Sequence, residues 1–264
     1  MNMQDEAQFL WRLAGEAFAL FLRAAPGYEA RLTPYASLIL SGEPIADLNY
    51  AVIDEGPQVE ERLREFGEVL QARDLSVVAI FTGAVADSLA PTASELGLQH
   101  VGSIPLMVYR PQKGGSTLAQ ETYHIDLVDS EQGLQESSDL AARAFDLPLE
   151  PVSRAFGPLL LDTPQLSIFI ARQNGTPVSS VTTTGTGPTV GIWTMATPRE
   201  YQRKGAGRAV LEHAISYHGK RGADLYYLLA TEAGKPLYDR IGFQTLAEGA
   251  VWVAGHSTQV PRTS

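Results

Sequence analysis

The chain has 264 residues, 44% of them hydrophobic and 19% charged, which suits one large or two compact globular domains with a substantial core. It contains no cysteine, so disulfides, thiolate zinc sites and a cysteine nucleophile are excluded. A formal net charge of −10 argues against a general nucleic-acid binder, whose phosphate contacts need a basic surface. No apolar run nears the ~18 residues that span a bilayer, so no membrane association is expected. The N-terminus lacks the basic start and cleavage site of a signal peptide, and a cytoplasmic location is expected.

Residues 5–24 read as a helix. Asp5 caps it, Gln8 completes a capping box, and Phe9, Leu13, Ala17, Leu20 and Phe21 share a face before Pro26-Gly27 ends it. Apolar runs at 35–40, 49–54, 76–81 and 105–110 read as strands, with helical stretches over 57–73 and 85–96. Residues 110–121 are polar, glycine-rich and aperiodic, and read as a linker. The expected division is therefore a first domain over 1–115, a second over 121–256 and a loose tail over 257–264.

The second part opens with a strand at 123–128 and helices at 130–145 and 151–161. Strands at 165–173 and 178–185 flank Asn174-Gly175, a strong hairpin signal. A strand follows at 189–197, then a helix from about Gly205 to His218, a strand at 224–231, a short helix at 235–241 and a last strand at 247–255. The order is β-α-α-β-β-β-α-β-α-β. Its final strand-helix-strand-helix-strand run echoes the runs at 49–54, 76–81 and 105–110, which hints at two related folds in tandem.

Between the 189–197 strand and the next helix lies Gln202-Arg203-Lys204-Gly205-Ala206-Gly207-Arg208. Two glycines let the backbone approach a ligand without a Cβ in the way. A helix starting here presents unpaired amides and the positive end of its dipole. Residues 199–221 carry six basic side chains against Glu200 and Glu212, a local basic patch on an acidic protein that suits a small anion. The bland alternative is a tight turn with solvated charges. A P-loop needs G-x-x-x-x-G-K-[ST], and a Rossmann turn needs a third glycine where Val210 stands; both schemes fail.

The remaining pattern, Gln202-x-x-Gly205-x-Gly207 between strand and helix, resembles the acyl-CoA pyrophosphate loop of the GNAT acetyltransferases. The element order from 123 to 254 is similar to the α/β GNAT fold, a mixed, mostly antiparallel sheet flanked by helices. The segment "GKPLYDRIGF" looks like the family's second signature. Over the first half the resemblance is weaker, to a degenerate GNAT-like domain of the tandem type without the loop.

That resemblance implies that the amides of Arg203, Lys204, Gly205, Ala206, Gly207 and Arg208 hold the pyrophosphate of acetyl-CoA beside Gln202. Met195, Ala196 and Thr197 would line the pantetheine arm where strands splay. The Met195 amide would stabilise the oxyanion, and Tyr238 matches the general-acid tyrosine; its alternative is packing with Leu237 and Phe243. The reaction implied is direct attack of a neutral primary amine on acetyl-CoA, without an enzyme nucleophile and without a metal. No strand carboxylate supplies a base; Glu200, Glu232, Glu121 and His124 are the weak candidates. Partners expected are acetyl-CoA and an amine, with a homodimer left open. The acidic first domain would favour a cationic acceptor by long-range attraction.

Two rivals stand beside the enzyme: an acyl-CoA-binding sensor or assembly module that has lost catalysis, and a nucleotide binder using the same basic turn. His213 and His218, five apart on a helix, do not share a face as a metal pair would. Trp11, Trp193 and Trp252 lie in apolar segments and read as core.

Overall fold

A computed structural model describes residues 2–111, 122–185 and 187–254. In chain order the elements are α1 (Met3–Leu22), β1 (Glu29–Leu32), β2 (Ala36–Leu40), β3 (Asn49–Ile53), α2 (Val59–Arg73), β4 (Val77–Thr82), α3 (Ala86–Glu95) and β5 (Gln99–Tyr109). There follow β6 (His124–Leu127), α4 (Glu131–Phe145), α5 (Leu149–Ala155), β7 (Leu166–Gln173), β8 (Thr176–Thr184), β9 (Thr189–Ala196), α6 (Ala206–Gly219), β10 (Leu225–Leu229), α7 (Lys235–Ile241) and β11 (Gln244–Ala254). Among the described residues no helix is long and apolar enough to cross a membrane.

The chain divides into two compact units. One comprises Met1–Leu22, Pro26–Val108 and Leu229–Ser264; the other comprises Arg23–Ala25 and Tyr109–Leu228. This departs from the expected 1–115 and 121–256 division. The last strand joins the first unit because β11 pairs antiparallel with β4, from Gly249↔Thr82 to Ala254↔Val77, and with β5 along its other edge. Of the linker read over 110–121, residues 112–121 lie outside the described residues, as does the tail over 257–264.

In the first unit the strand order is β1-β2-β3-β4-β11-β5, and the β3–β4 pair, joined through α2, is parallel. Leu38, Leu40, Ile53, Phe66, Phe81, Leu89 and Trp252 fill the core on one sheet face. Helix α1 packs on β2 and β3, stacking Phe18 on Tyr50. Its buried stripe runs through Leu10, Ala14, Phe18 and Phe21, one residue round from the stripe read from the sequence. Small residues cause the offset: Gly15 brings the helix so close that a Cβ there would meet Ser37 Oγ at 2.3 Å. The capping box also differs, because Asn2 Oδ1 accepts from the Asp5 amide (2.8 Å) and Asp5 Oδ2 from the Asn2 amide (3.4 Å). The helix thus starts earlier than Asp5.

In the second unit the order is β10-β9-β8-β7-β6, with β10–β9 parallel and the rest antiparallel. Asn174 and Gly175 take positive φ (52° and 81°) in the expected hairpin between β7 and β8. The helix read over 151–161 is broken: α5 stops at Ala155 and residues Pro158–Leu160 form a 3-10 turn, since Gly157-Pro158 interrupts the amide ladder. Each unit therefore contains a strand-helix-strand crossover that sets two parallel strands side by side.

Candidate active site

The site lies at the end of β9 and the start of α6. The β9–β10 pairing covers only Thr189↔Leu225, Val190↔Tyr226 and Gly191↔Tyr227. The next five residues of β9, Ile192 to Ala196, run on without a β10 partner in this register. On the other edge β9 carries a bulge. Thr182 faces Trp193 and Ser180 faces Ala196, so Thr194 and Met195 fall outside the ladder. Thr194 has φ +45°, an uncommon conformation for a β-branched residue, and it re-aims the peptide that follows. Beside the bulge Ser180 Oγ is buried with no hydrogen-bond partner among the described residues. The sequence carried no sign of the bulge.

Beyond β9 the chain is pinned. Ser179 Oγ donates to the Ala196 carbonyl (3.0 Å) and meets Thr197 Oγ1 at 2.8 Å. Gln202 Nε2 donates to the Thr197 carbonyl (3.0 Å), so this side chain ties the loop to the strand end. Tyr123 Oη, across the unit, donates to the Lys204 carbonyl (2.7 Å). Tyr123 is a positioning residue that the sequence reading missed, since 81 residues separate it from its partner.

Arg203 (φ +59°) and Gly205 (φ +91°) turn the chain into α6, whose first amide-to-carbonyl bond runs from Ala209 to Gly205 (2.9 Å). The amides of residues 203 to 208 thus have no acceptor among the described residues, and at the helix start they point outward. The first turn of α6 holds no acidic residue. Arg203 and Lys204 are exposed and carry no ion pair among the described residues, whereas Arg208 is engaged by Glu212 at 2.8 Å. This arrangement can hold a multiply charged anion by main-chain donors, dipole and two cations, of which the Lys204 ammonium lies 6.0 Å from the Tyr201 ring centre.

The structure brings Met195, Ala196 and Thr197 together with Gln202–Arg208 in one unit. Tyr238 belongs to the other unit, on α7. It is 7% exposed, its ring packs edge-on against Phe243 (5.8 Å), and burial pushes its pKa well above the usual phenol value. The packing reading and a protonated hydroxyl therefore hold together.

The candidate bases fare poorly. Glu200 ion-pairs with Arg143, and its own backbone amide followed by that guanidinium holds its pKa below the usual carboxylate value. Glu232 is exposed, His124 is exposed and lies 2.9 Å from Asp126, and Glu121 lies outside the described residues. His213 and His218 both pack on Phe169; His218 is buried and meets Thr183 Oγ1 at 2.8 Å. Trp11, Trp193 and Trp252 are all buried.

Residues 134–243, which hold the β9–α6 turn and α7, match the model of the acetyltransferase (GNAT) family. No curated protein matches the chain in sequence. Among solved structures, a GCN5-related N-acetyltransferase from Kribbella flavida is similar in fold, with TM-score 0.65 and 18% identity over 92% of this chain and 96% of that one. Another from Sphaerobacter thermophilus gives TM-score 0.58 and 16% identity over 92% and 87%. A tandem GNAT protein from the clavulanic acid biosynthesis pathway gives TM-score 0.57 and 12% identity over 98% of both chains. The fold is thus the GNAT type, and the tandem organisation accounts for nearly the whole chain.

Proposed function

We propose that this protein is an acetyl-CoA-dependent N-acetyltransferase that moves the acetyl group to a primary amine by direct attack. The observation that carries the reading is the run of unpaired amides from Arg203 to Arg208, at the mouth of a β-sheet whose β9 runs on past its last β10 partner. The pyrophosphate of acetyl-CoA would sit on those amides, with Arg203 and Lys204 adding charge. The pantetheine arm would run along Met195, Ala196 and Thr197.

In the reaction the amine nitrogen attacks the thioester carbonyl, the N–C bond forms and the C–S bond breaks. The displaced amine proton leaves to a base or water chain, and the thiolate is protonated. The Met195 amide, freed from the ladder by the bulge, would donate to the oxyanion, an interaction whose worth rises as charge develops. Tyr238, kept protonated by burial, would return a proton to the thiolate. A lysine-like ammonium at pH 7 costs roughly 4 to 5 kcal/mol to neutralise, which the missing base must offset. We assign this chemistry to residues 121–256 and read residues 1–115 as a GNAT-like domain without a cofactor loop. A soluble cytoplasmic setting and no nucleic-acid, membrane or metal requirement complete the proposal.

The tied-up Glu200 and the carboxylate-free β9 favour a second reading, an acyl-CoA-binding sensor without turnover. One experiment separates the two. Wild type and Tyr238→Phe are assayed for CoA release over an amine panel, alongside calorimetry with acetyl-CoA. Turnover that Tyr238→Phe lowers at least tenfold, with acetyl-CoA affinity retained, supports the enzyme. Binding without turnover in wild type supports the sensor, and no binding removes both.

A further inference from the structure

Strand β1 ends the sheet of the first unit and, among the described residues, pairs only with β2. It runs Glu29-Ala30-Arg31-Leu32, directly after the exposed Tyr28. The turn that follows fixes its backbone phase. The Thr33 amide donates to the Ala36 carbonyl (2.9 Å), so in the same register Arg31↔Leu38 and Glu29↔Leu40 are the pairs that exchange hydrogen bonds with β2. The amides and carbonyls of Tyr28, Ala30 and Leu32 therefore point to the open side. An edge of this kind is a template for another strand.

The side chains alternate with the same period. Ala30 and Leu32 stand opposite Ile39 and Ser37, on the face where Ser37 packs against Gly15 of α1. Leu32 is 48% exposed and Tyr28 37%, so this apolar row is left in water. Glu29 and Arg31 stand on the other face, where Glu29 ion-pairs with Arg73 of α2 and with Arg31 Nε at 2.9 Å. Among the described residues no ion pair uses the two terminal nitrogens of Arg31.

These five positions are self-complementary. With a second copy laid antiparallel and Ala30 on the two-fold axis, Ala30 and the partner's Ala30 exchange both backbone hydrogen bonds. Tyr28 then meets the partner's Leu32 on the α1 face. Glu29 meets the partner's Arg31 on the other face, at the closer, non-hydrogen-bonded positions. The two neighbouring registers of the same phase, centred on Glu29 or on Arg31, set like charges face to face. One register is thus selected by charge, by apolar contact and by backbone phase together.

We propose that the protein forms a two-fold dimer by antiparallel pairing of β1 with β1 of a second copy, centred on Ala30. The surface lies wholly in the first unit and is independent of acetyl transfer.

The test is sedimentation of the full chain over a concentration series, with wild type expected to dimerise reversibly. Ala30→Pro removes an amide that faces the partner and not β2, so it should keep the fold and raise the dimer dissociation constant about tenfold or more. Glu29→Lys and Arg31→Glu each set like charges across the axis, and each alone should weaken the dimer about tenfold or more. An equal mixture of the two should recover it, because every facing pair in the mixed dimer is then of opposite sign. Should Ala30→Pro fail to fold, the mixture decides. A wild type that stays monomeric, a dimer that Ala30→Pro leaves intact, or charge variants whose mixture associates no better than either alone would each overturn the interface.

Discussion

Gly205 is the residue on which the anion site turns, and its substitution by alanine can be read against an internal control. At φ +91° a side chain meets the left-handed penalty of about 1–2 kcal/mol. Gly222, in the turn after α6 of the same unit, has φ +96°, and an added Cβ there finds nothing within 4 Å. Gly205→Ala and Gly222→Ala therefore introduce the same backbone strain, one inside the site and one away from it. The strain is expressed once. What the folded protein escapes by relaxing an exposed loop, ligand binding must restore. The loop after Gln202 is exposed and held by few side-chain bonds, so Gly205→Ala should relax and surrender affinity. Its acetyl-CoA dissociation constant should rise about 5- to 30-fold, with a small loss in Tm. Gly222→Ala should lose a few degrees in Tm and bind as wild type does. Calorimetry with acetyl-CoA and thermal melts on the three proteins decide it. If Gly205→Ala binds as tightly as Gly222→Ala, the amides after Gly205 do not hold the pyrophosphate.

Tyr123→Phe removes the hydroxyl that fastens the Lys204 carbonyl, and should weaken acetyl-CoA binding about two- to tenfold while leaving the rate at saturating acetyl-CoA nearly unchanged. An equal fall in that rate would show Tyr123 acting in the chemistry. His218 is pushed down to about 4 by burial first and then by Arg221. A folded value below the unfolded one of about 6.5 means that the unfolded chain takes up the proton first. The stability from a neutral His218 is thus complete above pH 6.5 and is lost as pH falls towards 4, to a total of about 3 kcal/mol. Denaturant melts from pH 7.5 to 4 should show that slope in wild type and lose it in His218→Gln, whose amide can still meet Thr183. Matching slopes in the two proteins would contradict it.

The turn into α6 was legible in the sequence because its signal is local: two glycines, adjacent charges and a helix onset lie within seven residues. The supporting contacts were not, because each joins distant positions. Tyr123 meets Lys204 across the unit, and Ser179 holds Ala196 from the neighbouring strand. The bulge at Thr194 was hidden for another reason, since threonine carries no preference for positive φ and the ladder forces it there. The place of β11 beside β4 was not legible either. Its pairing with β4 is a long-range choice made by matching apolar strands. The close approach of α1 at Gly15 was equally invisible, because a glycine announces close packing only when its partner is known.

The two units also differ in ways that explain why only one offers an open run of amides to an anion, although both have the same crossover. In the second, β9 runs five residues past its last β10 partner, α6 starts with no acid in its first turn, and Arg203 and Lys204 stand beside it. In the first, β3 stays paired to its last residue, Ile53↔Phe81, and the next pair of side chains, Asp54 and Thr82, hydrogen-bond across the seam. Helix α2 then begins with Glu60 and Glu61, and the Arg62 that follows them is ion-paired with Glu65 at 3.0 Å. A diphosphate brought to that helix would meet two carboxylates where α6 offers arginine and lysine. Charge of the opposite sign at equivalent places on one repeated crossover is a physical basis for a division of labour between two copies of a fold.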